Sequence, residues 1–150
     1  MTVSPATIRQ DVYSAVRTLL VANKPTYTYD SATQTYSIVA EYGRQASSFP
    51  YIVINPASVQ VILLDLDGSG EDYAIEVQLD FYALESHRKK AIDAGQDSAR
   101  NTFIGNISTF ISTDKLSPQE DFWTDTPSPP FQDNGQIINT GSSIVRFKLA

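Results

Sequence analysis

The strongest structural signal in this chain is a strict alternation of apolar and polar residues near its middle. The apolar residues of the run are Tyr73, Ile75, Val77, Leu79 and Phe81, and the residues between them are Ala74, Glu76, Gln78 and Asp80. Successive side chains of a β-strand point to opposite faces of the sheet, so the pattern predicts a strand with one buried and one wet face. A chain with such a strand must also supply neighbouring strands and a cover for the buried face.

An N-terminal helix is predicted over about residues 5–21. Ser4 can act as the helix N-cap and Pro5 occupies the first helical position, and the apolar residues that follow recur at helical spacing. Pro25 ends the helix, because a proline disfavours helical backbone in the residue before it.

A second, longer amphipathic helix is predicted over about residues 85–111, packed on the sheet. Gly95 and Gly105 weaken this helix by about 1 kcal/mol each relative to alanine. A glycine can also let the helix lie close against the sheet.

The remaining β-prone segments complete the expected sheet. They lie at residues 26–29, 36–40, 51–54, 58–66 and 143–149, and a turn at 30–33 suggests that the first two form a hairpin. Residues 119–138 combine prolines with bulky apolar residues and are predicted to form an extended loop, an arm or an edge strand. The sequence therefore predicts one domain over residues 1–150, of the α+β class, with a mostly antiparallel sheet and both helices packed on it.

Several kinds of chemistry are excluded by residue content. With no cysteine there is no disulfide, no thiolate nucleophile and no cysteine metal site. His87 is the single histidine, and its basic neighbours indicate a solvent-facing position rather than an acid–base role. Neither a Gly-x-Ser-x-Gly turn nor a glycine-rich phosphate loop occurs. We therefore predict a protein that is not an enzyme and that needs no cofactor.

The net charge limits the partners of the chain. A formal charge of −6 argues against a nucleic-acid grip built from many lysine and arginine contacts to phosphate. An acidic surface can instead line a passage through which DNA slides without sticking. Neither a signal peptide nor an apolar run of membrane-spanning length is evident, so no membrane partner is expected.

One motif imitates a calcium loop. Asp65, Asp67, Ser69 and Glu76 occupy the spacing of ligand positions one, three, five and twelve of an EF-hand loop, with glycine at position six. Strands are predicted on both sides where an EF-hand has helices, and Asp72 stands where that loop is apolar. We therefore favour a hairpin tip rich in turn-forming residues, with a calcium site as the alternative.

The aromatic residues Phe122, Trp123 and Phe131 lie in the proline-bearing segment near the end of the chain. Large apolar residues in such a segment either cap the core of their own domain or dock on a neighbouring subunit. The sequence leaves both alternatives open.

The order of elements over about residues 4–112 resembles that of the tail terminator and tail-completion (neck) proteins of long-tailed phages and related viruses. In that family a Pro-Tyr-Val-Val strand, similar to residues 50–54, and an Ile-x-Val-x-Val-Trp/Phe-Ala strand, similar to residues 75–83, precede a long helix. Phe81-Tyr82 is a mild departure from the usual aromatic position. The residues after Thr113 carry no match.

The resemblance implies a structural virion protein. Copies would assemble through their sheet edges into a hexameric ring on the end of the tail tube, stop tube polymerisation and join the tail to the head. The implied partners are further copies of the chain, the tail tube protein and a head–tail connector or neck protein, with DNA passing through the lumen. The implied location is the virion tail or neck, after assembly in the host cytoplasm. Another neck or head–tail joining protein and a small calcium-binding module are the alternatives.

Two polar, glycine-bearing loops are the predicted contact regions of such a ring, because loops between strong strands commonly carry function. The candidate partner-binding residues are Gly43, Arg44 and Gln45 in the first loop, Asp67, Ser69 and Glu71 in the second, and the aromatic residues Phe122, Trp123 and Phe131.

Overall fold

The computed structural model describes residues 5–39, 49–54, 60–63, 73–133 and 135–149 of the chain. The α-helices are α1 (Ile8–Ala22), α2 (Arg88–Gly105) and the short α3 (Ile107–Thr109), accompanied by 3-10 turns at Pro5–Thr7 and Glu85–His87 and a π-helical turn at Phe110–Asp114. The strands are β1 (Thr26–Tyr29), β2 (Ala32–Thr35), β3 (Ser37–Val39), β4 (Tyr51–Ile54), β5 (Gln60–Leu63), β6 (Tyr73–Leu84), β7 (Leu116–Pro127), β8 (Phe131–Asp133) and β9 (Gln136–Leu149).

A seven-stranded sheet in the order β3-β4-β6-β9-β7 forms the framework. β5 pairs with β6 and β8 pairs with β9. β3 and β4 run parallel, whereas the other described pairs are antiparallel. The central pair, β6 with β9, is in continuous register from Ala74 opposite Lys148 to Leu84 opposite Ile138. The predicted α+β fold with a mostly antiparallel sheet and two main helices is thus confirmed.

The alternation in β6 sorts its residues between two faces of the sheet. Ile75, Val77, Leu79 and Phe81 are fully buried and belong to the main core cluster, together with apolar residues of α1 and α2. Burying side chains of this size contributes roughly 1.5–3 kcal/mol each. The prediction of one buried face is confirmed, and this face is the one that the helices cover.

Helix α1 matches its prediction within one turn. Its buried residues recur at intervals of three and four, and they are Ile8, Val12, Ala15, Val16 and Leu20. The helix ends where the backbone N–H and the side-chain amide of Asn23 both donate to the carbonyl of Leu19, at 3.0 and 3.2 Å. The predicted N-cap, Ser4, lies outside the described residues.

The second predicted helix is interrupted near its end. α2 stops at Gly105, and Asn106, with φ of −119°, donates from its side chain to the carbonyl of Thr102. The chain continues through α3 and the π-helical turn until Lys115 takes a left-handed conformation with φ of 60°. The low helix propensity of Gly105 agrees with the position of this break.

The first hairpin is present, but its second strand is formed by different residues from those predicted. β1 pairs with β2 (Ala32–Thr35), whereas β3 (Ser37–Val39) joins the main sheet in parallel with β4, so the prediction that 36–40 is the second hairpin strand was wrong. The turn has only two residues, Asp30 and Ser31, with φ of 50° and 63°. Positive φ at both positions gives this turn the backbone twist that two-residue hairpins favour.

Replacing Ser31 with glycine should stabilise this hairpin. Left-handed backbone costs a non-glycine residue about 1 kcal/mol or more, so Ser31→Gly should raise the free energy of unfolding by about 0.5–1 kcal/mol. Urea denaturation checks the change. Thr33→Gly, in the adjoining strand, is the control and should lower stability because glycine is poor in strands. Equal effects of the two substitutions would contradict the assigned turn.

The segment predicted as an extended loop or arm, 119–138, is largely strand. Its first part, up to Pro127, lies in β7 and pairs with β9 from Trp123 onward, which agrees with the edge-strand alternative and corrects the loop or arm. Proline has no N–H to donate and is therefore confined to edge strands, first residues and bulges of a sheet. Pro118 and Pro127 fit β7 because β7 is an edge strand.

Candidate assembly surfaces

Most of the predicted loop residues lie outside the described part of the chain. These are Gly43, Arg44, Gln45, Asp65, Asp67, Ser69 and Glu71. Their roles in partner binding or calcium binding therefore stay predictions.

Glu76, the last residue of the calcium-like spacing, has a described contact in the sheet. Its Oε1 lies 3.4 Å from Nε of Arg146, which stands directly opposite on β9. The guanidinium also donates to Oγ1 of Thr124 at 2.7 Å and to the carbonyl of Asp121 at 3.2 Å. The Glu76 carboxylate is thus engaged in a cross-strand ion pair. Among the described residues, no group of three or more histidine and acidic side chains is placed to hold a metal ion.

The same arginine lies beside an irregularity in β7. Pro118 stands opposite Phe147 and Trp123 stands opposite Val145, so residues 119–122 face Arg146 alone. Bulges bend the strand that carries them and interrupt its regular pairing. Arg146 therefore fixes the bulged part of β7 to the neighbouring strands.

The three candidate aromatic residues separate onto two faces of the sheet. Phe122 and Trp123 are half-buried and pack against the main core, where the Trp123 and Phe103 ring centroids are 5.6 Å apart. Trp123 Nε1 donates to Oδ1 of Asp125 at 2.7 Å. Phe131 lies on the opposite face, with its ring 6.0 Å from that of Tyr82. Phe122 and Trp123 therefore cap the core of their own domain. Because Phe131 lies on the other face, the three aromatic residues do not form one patch.

His87 is half-buried and contacts two tyrosines, whereas the sequence indicated a solvent-facing position. Its Nδ1 lies 2.6 Å from the hydroxyl of Tyr27, and its ring stacks on Tyr29 with centroids 3.9 Å apart. Burial raises the pKa of Tyr27 to about 12. A tyrosine hydroxyl is protonated at neutral pH and can donate to Nδ1 when that nitrogen carries no proton. His87 thereby holds the β1–β2 hairpin against the start of α2, which is a structural role.

The sheet face away from the helices carries a small apolar cluster of its own. Val39, Tyr51 and Val53 are buried there, with Phe49 and Tyr82 packed around them. The Tyr51 and Tyr82 rings stack at 5.0 Å, and burial, with smaller contributions from Asp80 and Tyr51, raises the pKa of Tyr82 to about 12. None of the described helix residues belongs to this cluster. The helices thus pack on one face only within the described chain.

Strands β3 and β7 stand at the two ends of the sheet order, and β5 and β8 also pair with one described strand each. β3 pairs with β4 and β7 pairs with β9, and within the described ranges neither strand has a second neighbour. β7 is 12 residues long, whereas β3 has three. A long edge strand presents backbone N–H and C=O groups with which another chain can pair.

A groove opens between α1 and the end of the second helical region. Its volume is about 340 Å³, and its walls include Ala15, Leu19, Ala22, Asn106, Phe110 and Asp114. Burial raises the pKa of the Asp114 carboxyl above its ordinary value. Large apolar residues are exposed on the same helices and the π-helical turn, namely Val21, Ile104 and Ile111.

No protein-family model and no curated protein matches this chain. Among its described helices, none combines the length and the apolar character needed to cross a membrane.

Two of these features were missed in the sequence. The Glu76–Arg146 pair could have been found by placing the alternating residues of β6 and β9 opposite each other, because charged residues on the polar faces of both strands then meet. The groove has no comparable signal, since its walls come from residues far apart in the chain.

Proposed function

We propose that the chain is a structural subunit of a viral tail that forms a ring on the end of the tail tube, stops tube growth and joins the tail to the head. The likeness of residues 4–112 to tail terminator and neck proteins suggests this role. The observation that carries it is the long edge strand β7, which pairs on one side only within the described chain.

The two edges of the sheet can serve as the contact between copies. If β7 of one copy pairs with the β3 edge of the next, different surfaces meet, and repeated contacts close into a ring when the rotation between copies is suitable. Main-chain hydrogen bonds supply the attraction, and the side chains of the edge strands set the register. Six copies are what the family resemblance implies.

The irregular part of β7 limits this pairing to one region. Pro118 and the bulge at 119–122 interrupt the regular ladder, which resumes from Trp123 to Pro127. Prolines and bulges are features by which edge strands avoid uncontrolled association. A short regular segment beside them fits a defined contact between subunits rather than open-ended aggregation.

The charge of the chain agrees with a passive role toward DNA. A ring of subunits with a formal charge of −6 each repels a phosphate backbone and does not retain it. In this proposal the bound partners are proteins: other copies, the tail tube protein and a head–tail connector or neck protein.

A lysine placed on the β7 edge should prevent the ring from forming. Thr126 is exposed on β7, and a charged side chain there disfavours pairing with another strand. Light scattering of the unmodified chain should show a species of about six times 16.5 kDa, and Thr126→Lys should shift it to the monomer. Thr33→Lys makes the same chemical change at an exposed site of the separate hairpin and should leave the oligomer intact.

Two outcomes would overturn the proposal. The first is a chain that stays monomeric at all concentrations and does not cap tail tubes. The second is a ring that forms equally well with Thr126→Lys. The same samples should be melted with calcium and with a chelator, because a ligand that binds the folded state raises the melting temperature. A monomer strongly stabilised by calcium would favour the calcium-binding alternative.

A further inference from the structure

The strands at the two ends of the sheet order, β3 and β7, match each other in level and direction. One row of paired residues crosses five strands, from Ile38 through Ile52, Phe81 and Gly141 to Pro127. β3 runs antiparallel to β6, whereas β7 runs parallel to it. In copies related by rotation about an axis along the strands, β7 of one copy therefore meets β3 of the next as an antiparallel neighbour in the same row.

The side of the molecule that carries β7 is acidic. A cavity of about 410 Å³ lies between α2 and β7, and it leaves room beside the strand for a long side chain. We call the exposed charged residues of β7 and of the cavity side of α2 the acidic flank. They are Asp93, Asp97, Glu120, Asp121 and Asp125, with Lys89 and Arg100 as the basic members. Five carboxylates and two basic side chains give this flank a net charge of −3.

Helix α1 lies on the other side of the molecule, in contact with β3. One side of this helix forms a wall of the groove, at Ala15, Leu19 and Ala22. With 3.6 residues per turn, Arg9 and Arg17 lie more than about 90° around the helix from the centre of that wall. The two arginines therefore face away from the groove, on the outer side of α1.

These two arginines, which we call the basic flank, keep their charge uncompensated. Both are exposed, and neither forms an ion pair within the described residues. Asp11, the acidic residue of α1, lies on the groove side of the helix, where its Oδ2 accepts a hydrogen bond from Oγ1 of Thr7 at 2.7 Å. β3 itself has no charged side chain. The basic flank therefore carries two positive charges beside the β3 edge.

We propose that the acidic flank of one copy contacts the basic flank of the next copy, and that this attraction directs β7 to β3. This inference rests on the proposed ring and assigns charge as the property that selects the partner of β7. With about 4.8 Å between neighbouring strands, the two edges of one molecule are about 19 Å apart, so one copy cannot join its own flanks. Opposite charges at an interface steer association and suppress wrong partners.

The same charges disfavour the symmetric alternatives. Pairing of β7 with β7 of another copy would bring two acidic flanks together, and pairing of β3 with β3 would bring two basic flanks together. Both arrangements give dimers in which like charges repel. Only the contact between unlike flanks leaves one open edge of each kind on every added copy, which is the contact that can close into a ring.

Reversal of single charges tests this contact. Arg17→Glu should raise the protomer concentration at which half of the chains are in rings by roughly threefold to tenfold, because attraction becomes repulsion. Asp97→Lys should have a similar effect. A chain that carries both substitutions keeps the net charge and again joins opposite charges, so it should recover most of the lost assembly. Light scattering at several protein concentrations measures each value, and high salt should reduce the differences between the variants.

Asp30→Lys is the control, because it makes the same reversal as Asp97→Lys at the exposed tip of the separate hairpin and should leave assembly unchanged. Equal melting temperatures of Arg17→Glu and the unmodified chain separate a loss of assembly from a loss of folding. Rings that are removed by Thr126→Lys but persist with Arg17→Glu, or a double variant that assembles no better than the single ones, would overturn this inference and leave the ring standing. A chain that is monomeric at all concentrations would overturn both.

Discussion

Gly95→Ala should lower the free energy of unfolding by about 2–3 kcal/mol, although alanine favours helix by about 1 kcal/mol over glycine. A Cβ atom at this position would lie 2.4 Å from Cε2 of Tyr36. Real Cβ atoms do not approach another atom so closely, so the helix or the ring must move. The substitution should therefore cost stability through overpacking.

The ring of Tyr36 has little room to move aside. It is fully buried, its hydroxyl donates to the carbonyl of Ala91 at 2.8 Å, and its ring meets Phe81 edge-on at 5.7 Å. Burial also raises the pKa of its hydroxyl, which keeps the group protonated as a donor. Displacing the ring would break this hydrogen bond inside the core, where an unpaired polar group is costly.

Thermal denaturation followed by circular dichroism checks this result. For a chain of this size, 2–3 kcal/mol corresponds to a fall in melting temperature of roughly 4–12 °C. Gly105→Ala is the matched control, because a Cβ there meets no atom within 4 Å. That variant should be neutral or more stable by up to about 1 kcal/mol. A Gly95→Ala protein as stable as Gly105→Ala would contradict the close contact with Tyr36.

Phe103→Ala should lower stability by about 3–5 kcal/mol, the usual cost of removing a buried phenylalanine. Phe103 is 1% exposed and joins helix α2 to three other aromatic residues. Its ring centroid lies 5.6 Å from that of Phe110, 5.6 Å from Trp123 and 6.3 Å from Phe147. Its removal opens a cavity between the helix and the sheet.

The single tryptophan provides the measurement for this variant. Trp123 contacts Phe103, so its fluorescence should follow both the cavity and the unfolding transition in urea. Ile104→Ala is the control, because Ile104 is the next residue and is 42% exposed. That substitution should cost less than about 1 kcal/mol. Equal losses for the two variants would show that the aromatic cluster does not hold α2 on the sheet.

The parts of the fold that could be predicted are those in which local pattern decides structure. The alternation in β6 and the spacing in α1 follow from which side of each element must be buried. Residues 51–54 were predicted as a strand because they are rich in β-branched residues, and all four residues of β4 are buried. These elements carry their signal in consecutive residues.

The sequence-based predictions were wrong where contacts between residues far apart in the chain decide the structure. Residues 36–40 have the composition of a hairpin strand, yet β3 pairs in parallel with β4, a strand that lies further along the chain. His87 has polar neighbours in sequence but contacts Tyr27, which is 60 positions away. Gly95 was expected to approach the sheet, and its close contact is instead Tyr36, in the segment before β3. Such contacts leave no periodic pattern in either partner.

The pairing of β6 with β9 has a consequence for how the chain folds. Its register joins Ala74 to Lys148, so the two central strands are separated by both α2 and β7 along the chain. During synthesis β6 emerges well before its partner, and closing so long a loop is entropically slow. We expect a ribosome-bound chain that ends before β9 to hold α1 and α2 as helices around an unfinished core. The cooperative folding step should then await release of the last strand.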